Sequence, residues 1–164
     1  DEKNTSTLHF APEHCLSKFF NKYQNYVTAD ISGKKVDQIV DIENIKFPNK
    51  SFDIVIVNHV FEHVNDLEAF KQISKVLKNE GLLITSVPII YGWQTTYENH
   101  DIKNETDKII HFGQHDHVRY YGSDFVNRVT NNSNLKFFKS FKASKSDEIK
   151  YGLLRGEHIY VFKN

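Results

Sequence analysis

At 164 residues the chain has room for one domain with a proper core. Its 21 Lys plus Arg balance 21 Asp plus Glu, so no global field draws in nucleic acid or an anionic membrane. One cysteine, Cys15, excludes an internal disulfide and suits a reducing compartment, and no apolar run approaches the ~18 residues of a membrane-spanning helix.

The expectation is a cytoplasmic protein with no nucleic-acid or membrane partner; its oligomeric state is open. DEKNTST at the start is not a signal peptide and runs straight into a strand-like segment, so an upstream portion is expected to be missing. Thr7 to Phe10 reads as a short strand, followed by Ala11-Pro12-Glu13. From His14 to Tyr23, the residues Cys15, Leu16, Phe19, Phe20 and Tyr23 recur on one helical face. Tyr26 to Ala29 is a second strand ending at Asp30. After a polar turn containing Gly33, Val36 to Val40 makes a third, ending at Asp41. Phe47-Pro48-Asn49 is turn chemistry. Phe52 to Val57 is an apolar run broken only by Asp53, as in a strand covered on both faces. Polarity then arrives at once with Asn58, His59, Glu62 and His63.

The next helix starts at a capping pair, Asn65 with Glu68, and Leu67, Phe70, Ile73 and Leu77 supply its buried stripe. Lys75 and Lys78 suit its end, and Gly81 fits just past the stop. Leu82 to Val87 is the fifth strand, closed by Pro88. Residues 89–121 form an irregular, lid-like insertion. Ser123 caps a short helix carrying Phe125, Val126 and Val129, and Leu135–Phe141 and His158–Phe162 are the last strands. Lys139, Lys142 and Lys145 read as a solvated face. No repeat or linker divides the chain, so residues 1–164 form a single domain.

Strands alternating with helices predict an α/β fold with a mainly parallel sheet and helices on both faces. One connection resists this. Only five residues separate Asp30 from Val36, where a parallel crossover takes a dozen or so.

Glu13, Asp30, Asp41 and Asn58 fall at or just past the carboxyl ends of successive strands. In a parallel sheet these ends share one rim, where ligands of open α/β sheets bind. Gathered carboxylates repel one another unless a ligand answers them. A carboxylate after the second strand can accept both ribose hydroxyls, and one after the third can reach an exocyclic base amine, so a nucleoside-bearing ligand is expected. The competing account makes Asp30 and Asp41 turn residues that cap local backbone. No GxGxxG follows the first strand and no Walker loop occurs, which disfavours a dinucleotide.

The segments TLHFAPE, YVTADIS, VDQIVDIENIKFPNKSFDIVIVNHVFEHVND and LKNEGLLITSVP resemble the class I S-adenosylmethionine-dependent methyltransferases, over about Thr7 to Pro88. The resemblance implies a Rossmann-like methyltransferase fold with a seven-stranded sheet whose last strand is antiparallel. It implies S-adenosyl-L-methionine as cofactor and S-adenosyl-L-homocysteine as product. By position Asp30 would accept the ribose hydroxyls, Asp41 would meet the adenine amine with Ile42 beside the ring, and Asn58 and His59 would lie near the methionyl part. The family's first loop is usually acidic residue-x-Gly-x-Gly, whereas here it reads His9-Phe10-Ala11-Pro12-Glu13. With both glycines gone, the backbone is not expected to approach the cofactor in the usual manner. A subset with HFAPE here and a later QHDHVRxYG segment is similar to this chain, and in it Glu13 would pair with the methionyl ammonium.

His111, His115 and His117, with Asp116 and Arg119, are the densest polar cluster. Three readings compete: a His general base for an acceptor hydroxyl, a metal site through HxxxHxH with Asp116, or a structural lid with Arg119 paired to Asp116. His115 and His117 lie two apart, which on an extended segment puts them on one face. They are the catalytic candidates, and no metal is assigned. His63, Trp93, Arg119 and Tyr120, with Tyr91 and Tyr97 nearby, are the candidates for contact with a small-molecule acceptor, and His63 also reads as support for the following helix. The expected function is methylation of a small molecule on oxygen, in a glycan or nucleotide-sugar precursor. N-methylation, another reaction of the same cofactor, and a cofactor-binding module without turnover are the alternatives.

Overall fold

The computed structural model describes residues 4–33, 35–153 and 156–164. A seven-stranded sheet forms from β1 (Thr7–Phe10), β2 (Tyr26–Asp30), β3 (Gln38–Ile39), β4 (Phe52–Asn58), β5 (Leu77–Ser86), β8 (Lys136–Lys142) and β9 (His158–Lys163), with Val and Ile concentrated in the inner strand β4. The strand order is β3-β2-β1-β4-β5-β9-β8. The pairs from β3 through β5 are parallel, and β9 runs antiparallel to both β5 and β8. The expected sheet, with its last strand reversed, is therefore the one observed. Leu8, Val55, Val57 and Leu83 from the inner strands are fully buried with Phe70, Ile73 and Phe162, and they centre the core under this sheet.

The helices follow their local chemistry, with instructive exceptions. Helix α1 (His14–Phe20) stops short of Tyr23. Helix α2 (Asp66–Val76) begins at Asn65, whose side chain accepts from the Glu68 backbone N–H at 3.4 Å. It ends earlier than its stripe predicts. Lys50 and Ser51 N–H donate to the carbonyls of Lys75 and Val76, so the turn leading into β4 closes the helix where a glycine cap was expected. Leu77 then turns into β5 opposite Phe52, and Gly81 falls inside that strand. Lys78 reaches Asp53 at 2.8 Å instead of lying at the helix end.

The short β2–β3 connection contains no helix among its described residues. It turns through left-handed backbone at Gly33 (φ 68) and Lys35 (φ 58). Asp37 then takes over part of the ladder: its Oδ2 accepts from Thr28 N–H at 2.9 Å and from Thr28 Oγ1 at 2.7 Å. The third strand shrinks to two exposed residues as a result.

The segment after β5 is more ordered than its sequence reads. It forms a small hairpin, β6 (Tyr97–Glu98) with β7 (Arg119–Tyr120), around α3 (Glu105–Phe112). Asn104 caps α3 through the Asp107 N–H at 2.8 Å, and Gly113 (φ 78) ends it. Ser123 does not cap α4 (Phe125–Asn131): its hydroxyl donates to the Trp93 carbonyl, and Asp124 holds the cap position. Helix α5 (Lys145–Tyr151), capped by Ser144, was not anticipated. No helix among the described residues is long and apolar enough to cross a membrane.

Candidate functional site at the carboxyl rim of the sheet

Asp30 and Asp41 lie on the wall of one shallow cleft of about 80 Å³, with Ala11, Ile42, Val60 and Val64 beside them. They face a common space because β2 and β3 are adjacent and parallel. Each uses one oxygen for a local turn: Asp30 Oδ1 accepts from Ser32 N–H at 2.6 Å, and Asp41 Oδ1 from Glu43 N–H at 2.8 Å. The turn-capping account is thus true of those oxygens, while each Oδ2 has no hydrogen-bond partner among the described residues. Ile42 is buried in the core beneath them.

Ala11 modifies the expectation about the first loop. Its φ is 45°, in the region that glycine adopts freely and other residues seldom do. The backbone after β1 therefore keeps a glycine-like conformation although the glycine is gone. His59, just past β4, has φ 51. Strain is thus held at two strand ends of the same rim.

Glu13 and Asn58 also converge. Glu13 Oε1 accepts from Asn58 Nδ2 at 2.9 Å, and Oε2 pairs with His9 Nε2 at 2.7 Å. His9 is fully buried, with Nδ1 2.7 Å from the Tyr26 hydroxyl. Burial works to raise the Glu13 pKa, but the hydrogen bonds from His9 and Asn58 outweigh it and hold the carboxyl below its usual range. His9 as a positioning residue was missed, although its i,i+4 relation to Glu13 was there to be read.

His59 sits between two carboxylates, Nδ1 at 3.4 Å from Glu62 Oε1 and Nε2 at 2.6 Å from Glu157 Oε1. Bonding to Glu62, opposed by partial burial and aided by Glu157, raises its pKa to about 9. It lines a separate cavity of about 240 Å³ with Pro88, Tyr91 and Glu157.

The histidine-rich segment divides. His117 is 4% exposed, whereas His115 is fully on the surface, so the expected shared face is not realised. The cause is local: α3 ends at Gly113 and the chain bends through 113–116 before entering β7. His117 packs edge-on to His63 at 4.7 Å and to Tyr120 at 6.5 Å. Burial, joined by His63, lowers its pKa. His111 lies on α3 and meets the Tyr97 hydroxyl at 2.8 Å. Trp93 stands edge-on to both Tyr97 and Tyr120, so the aromatic floor continues to His117.

Arg119 is not paired with Asp116, which instead lies 3.3 Å from His63 Nδ1. Arg119 is 2% exposed, and its guanidinium donates to the carbonyls of Phe61 and Val64 and to Glu98. Fully buried Asp66 lies 3.5 Å from it, and accepts from Arg128 at 2.7 and 2.9 Å and from the Tyr121 hydroxyl at 2.8 Å. Arg119 therefore braces the insertion against the start of α2, and its donors are committed to protein.

Residues 14–85 match the protein-family profile described as a methyltransferase domain. The whole chain superposes on an S-adenosylmethionine-dependent methyltransferase from Mesorhizobium loti with a TM-score of 0.68 at 9% identity, covering 100% of this chain and 93% of that one. The fold is that of the S-adenosylmethionine-dependent methyltransferases. A 1,6-didemethyltoxoflavin-N1-methyltransferase from Burkholderia thailandensis, solved with S-adenosylhomocysteine, matches at TM-score 0.66 and 12% identity over 98% of this chain and 71% of that one. The 4+2 cyclase SpnF matches at 0.66 and 10% identity, over 99% and 76%. In sequence, an uncharacterized protein of Methanocaldococcus jannaschii is 43% identical over 47 residues, 29% of this chain and 21% of that protein. The chain thus spans about a fifth of that curated relative.

For a methyltransferase fold, the rim passes a chemical test for S-adenosylmethionine. Two carboxylates with unpartnered oxygens could accept from hydroxyls and an amine, and Ile42, Val60 and Val64 line the same cleft with apolar surface. The cleft is shallow, so an adenosine would lie across it rather than within it.

Proposed function

We propose that the chain is an S-adenosylmethionine-dependent methyltransferase acting on a hydroxyl of a small molecule, with a glycan or nucleotide-sugar precursor as the acceptor class. The observation that carries this reading is the pair Asp30 and Asp41 on one cleft wall, each with a free oxygen, at adjacent parallel strand ends. Asp30 would hold the ribose hydroxyls and Asp41 the adenine amine, with Ile42 against the ring. Glu13, Asn58 and His59 would meet the methionyl part; Glu13 keeps room for an ammonium because a carboxylate accepts about four hydrogen bonds. The likeness to the HFAPE and QHDHVRxYG subset fits this use of Glu13.

S-adenosylmethionine supplies, when bound, a methyl group on a sulfonium that an acceptor oxygen can displace in line. The protein's share is mainly to hold the two reactants in register, an effect that can reach about 7–11 kcal/mol. His117 is the imidazole we assign to the acceptor's proton. Burial keeps it neutral, as a base must be, and its Nδ1 has no partner among the described residues. His115, being exposed, is the weaker candidate. Trp93, Tyr120 and His63 would contact the acceptor, and Arg119 would shape that wall from behind.

Calorimetric titration with S-adenosylmethionine tests the core of this. Binding is expected in the wild type and should weaken about tenfold or more in Asp30→Ala, since a hydrogen bond between a charged group and its partner contributes about 1.5–3 kcal/mol. No binding by the wild type overturns the reading. Binding without a methylated product on any acceptor would favour another reaction of the cofactor, for which the likeness to SpnF is the motive. A methylated nitrogen would replace oxygen as the acceptor.

A further inference from the structure

We propose that Glu62, His63 and His117 form a binding site for a divalent transition cation, with Zn²⁺ the best match to the ligand types. One ligand-capable atom from each lies within 4.8 Å of the others. Zinc bonds of about 2.0–2.2 Å put tetrahedral ligand atoms about 3.3–3.6 Å apart, so closure asks only for small side-chain rotations. One carboxylate with two imidazoles is a donor set zinc accepts, leaving a fourth position open.

Proximity is not the only ground. Glu62 is 1% exposed and its Oε2 has no hydrogen-bond partner among the described residues; His117 is 4% exposed and its Nδ1 has none either. Buried polar atoms are rarely left unpaired, and a single cation would answer both. The surroundings also resemble an outer ligand shell. Asp116 lies 3.3 Å from His63 Nδ1, which leaves Nε2 as the nitrogen free for an ion. His59 engages Glu62 at Oε1, which leaves Oε2 available. The backbone ties the two segments together, since Val118 N–H donates to the Glu62 carbonyl at 2.9 Å. His63 and Val118 border a cavity of about 440 Å³, so the cluster lies beside open space, although Glu62 and His117 do not line it.

The site does not depend on methyl transfer. With the ion bound at Nδ1, that atom of His117 cannot also take the acceptor's proton, so metal content decides between the two roles. The test uses the untagged chain, stripped with a chelator and titrated with Zn²⁺ against a chromogenic competitor. Co²⁺ absorption then reports coordination number. One equivalent per chain with a tetrahedral Co²⁺ spectrum is expected. Asp116→Asn, at an exposed position that leaves folding intact, should weaken binding about 10–100-fold. His63→Ala and Glu62→Gln should weaken it further, and His14→Ala on the surface should not change it. Absence of stoichiometric binding, or unchanged binding in Asp116→Asn and His63→Ala, overturns the site. A chain that binds zinc but not S-adenosylmethionine sinks only the methyltransferase reading, the converse sinks only this one, and a chain that binds both keeps this site and removes His117 from the role of base.

Discussion

Asp66 shows how much a single buried side chain can organise. Its carboxylate faces two guanidiniums and a tyrosine hydroxyl, and it joins the start of α2 to β7 and α4. Burial raises the Tyr121 hydroxyl far above its ordinary value, and Asp66 beside it adds to this, so Tyr121 stays a donor. Asp66→Asn would leave Arg119 buried with its charge unanswered on that side. The expected loss is about 3–5 kcal/mol in urea unfolding. His117→Ala belongs to the same scale but has a different signature: turnover should fall about 10²–10⁴-fold with cofactor affinity nearly unchanged. Unchanged turnover would remove His117 from the chemistry. In the sequence Asp66 read only as the residue after a cap. No local pattern signals its partners, because they lie 53, 55 and 62 positions away.

Gly122 joins the insertion to the main fold at the junction of β7 and α4. A Cβ there would meet the backbone of Thr95 at 2.6–2.9 Å, and backbone cannot swing aside as a side chain can. Gly122→Ala should cost about 1–3 kcal/mol, as overpacking does. Loss of near-ultraviolet dichroism from the adjacent Trp93 would localise the damage, whereas an unperturbed spectrum and midpoint would contradict the close approach. Elements with strong periodicity, such as α2, were legible; those held by caps on polar sequence, α3 and α5, were not. ETDKIIHF and KSDEIKY carry little apolar stripe, and Asn104 and Ser144 alone were too weak a signal. The end of α2 was misread for the opposite reason. Its closure came from backbone donors just before β4, which no propensity of the helix itself encodes.

For the molecule as a whole, the edge of the sheet and its base tell of stability. β8 is exposed at every position, and Lys139 lies over the Phe138 and Phe141 rings, so the lysines form the solvated face expected of them and guard a free edge. At the opposite ends of the strands, Asp53 ties β4 to β5 through Lys78 and to the approach of β1 through Ser6. Burial alone would raise its pKa. The bonds from Lys78 and Ser6 prevail and depress it from 3.8 to about 2. A depressed carboxylate stabilises the fold above its unfolded value and loses that contribution as pH falls through its folded one. Asp53→Asn should therefore cost about 0.5–1 kcal/mol near neutrality, a figure reduced for solvent screening. The gap from wild type should close between about pH 4 and 2 in acid unfolding; a gap that persists at pH 2 would contradict it.

A mainly parallel sheet and the four polar residues at strand ends were readable from the residues, and the reversed final strand was implied by the family resemblance, whereas the strand order came only with the structure. Alternation of buried runs and turn residues is a local property, and parallel pairing follows from it. Asp30 and Asp41 could be paired on paper because adjacent parallel strands must end on the same side. Which histidine would be buried, what Arg119 would hold, and that Glu62 and His117 would each keep an unpartnered atom next to His63 depended on contacts between residues some 55 positions apart. Such contacts arise only when the insertion docks on the start of α2. That docking brings together a buried charge network whose members carry no mark of one another in sequence.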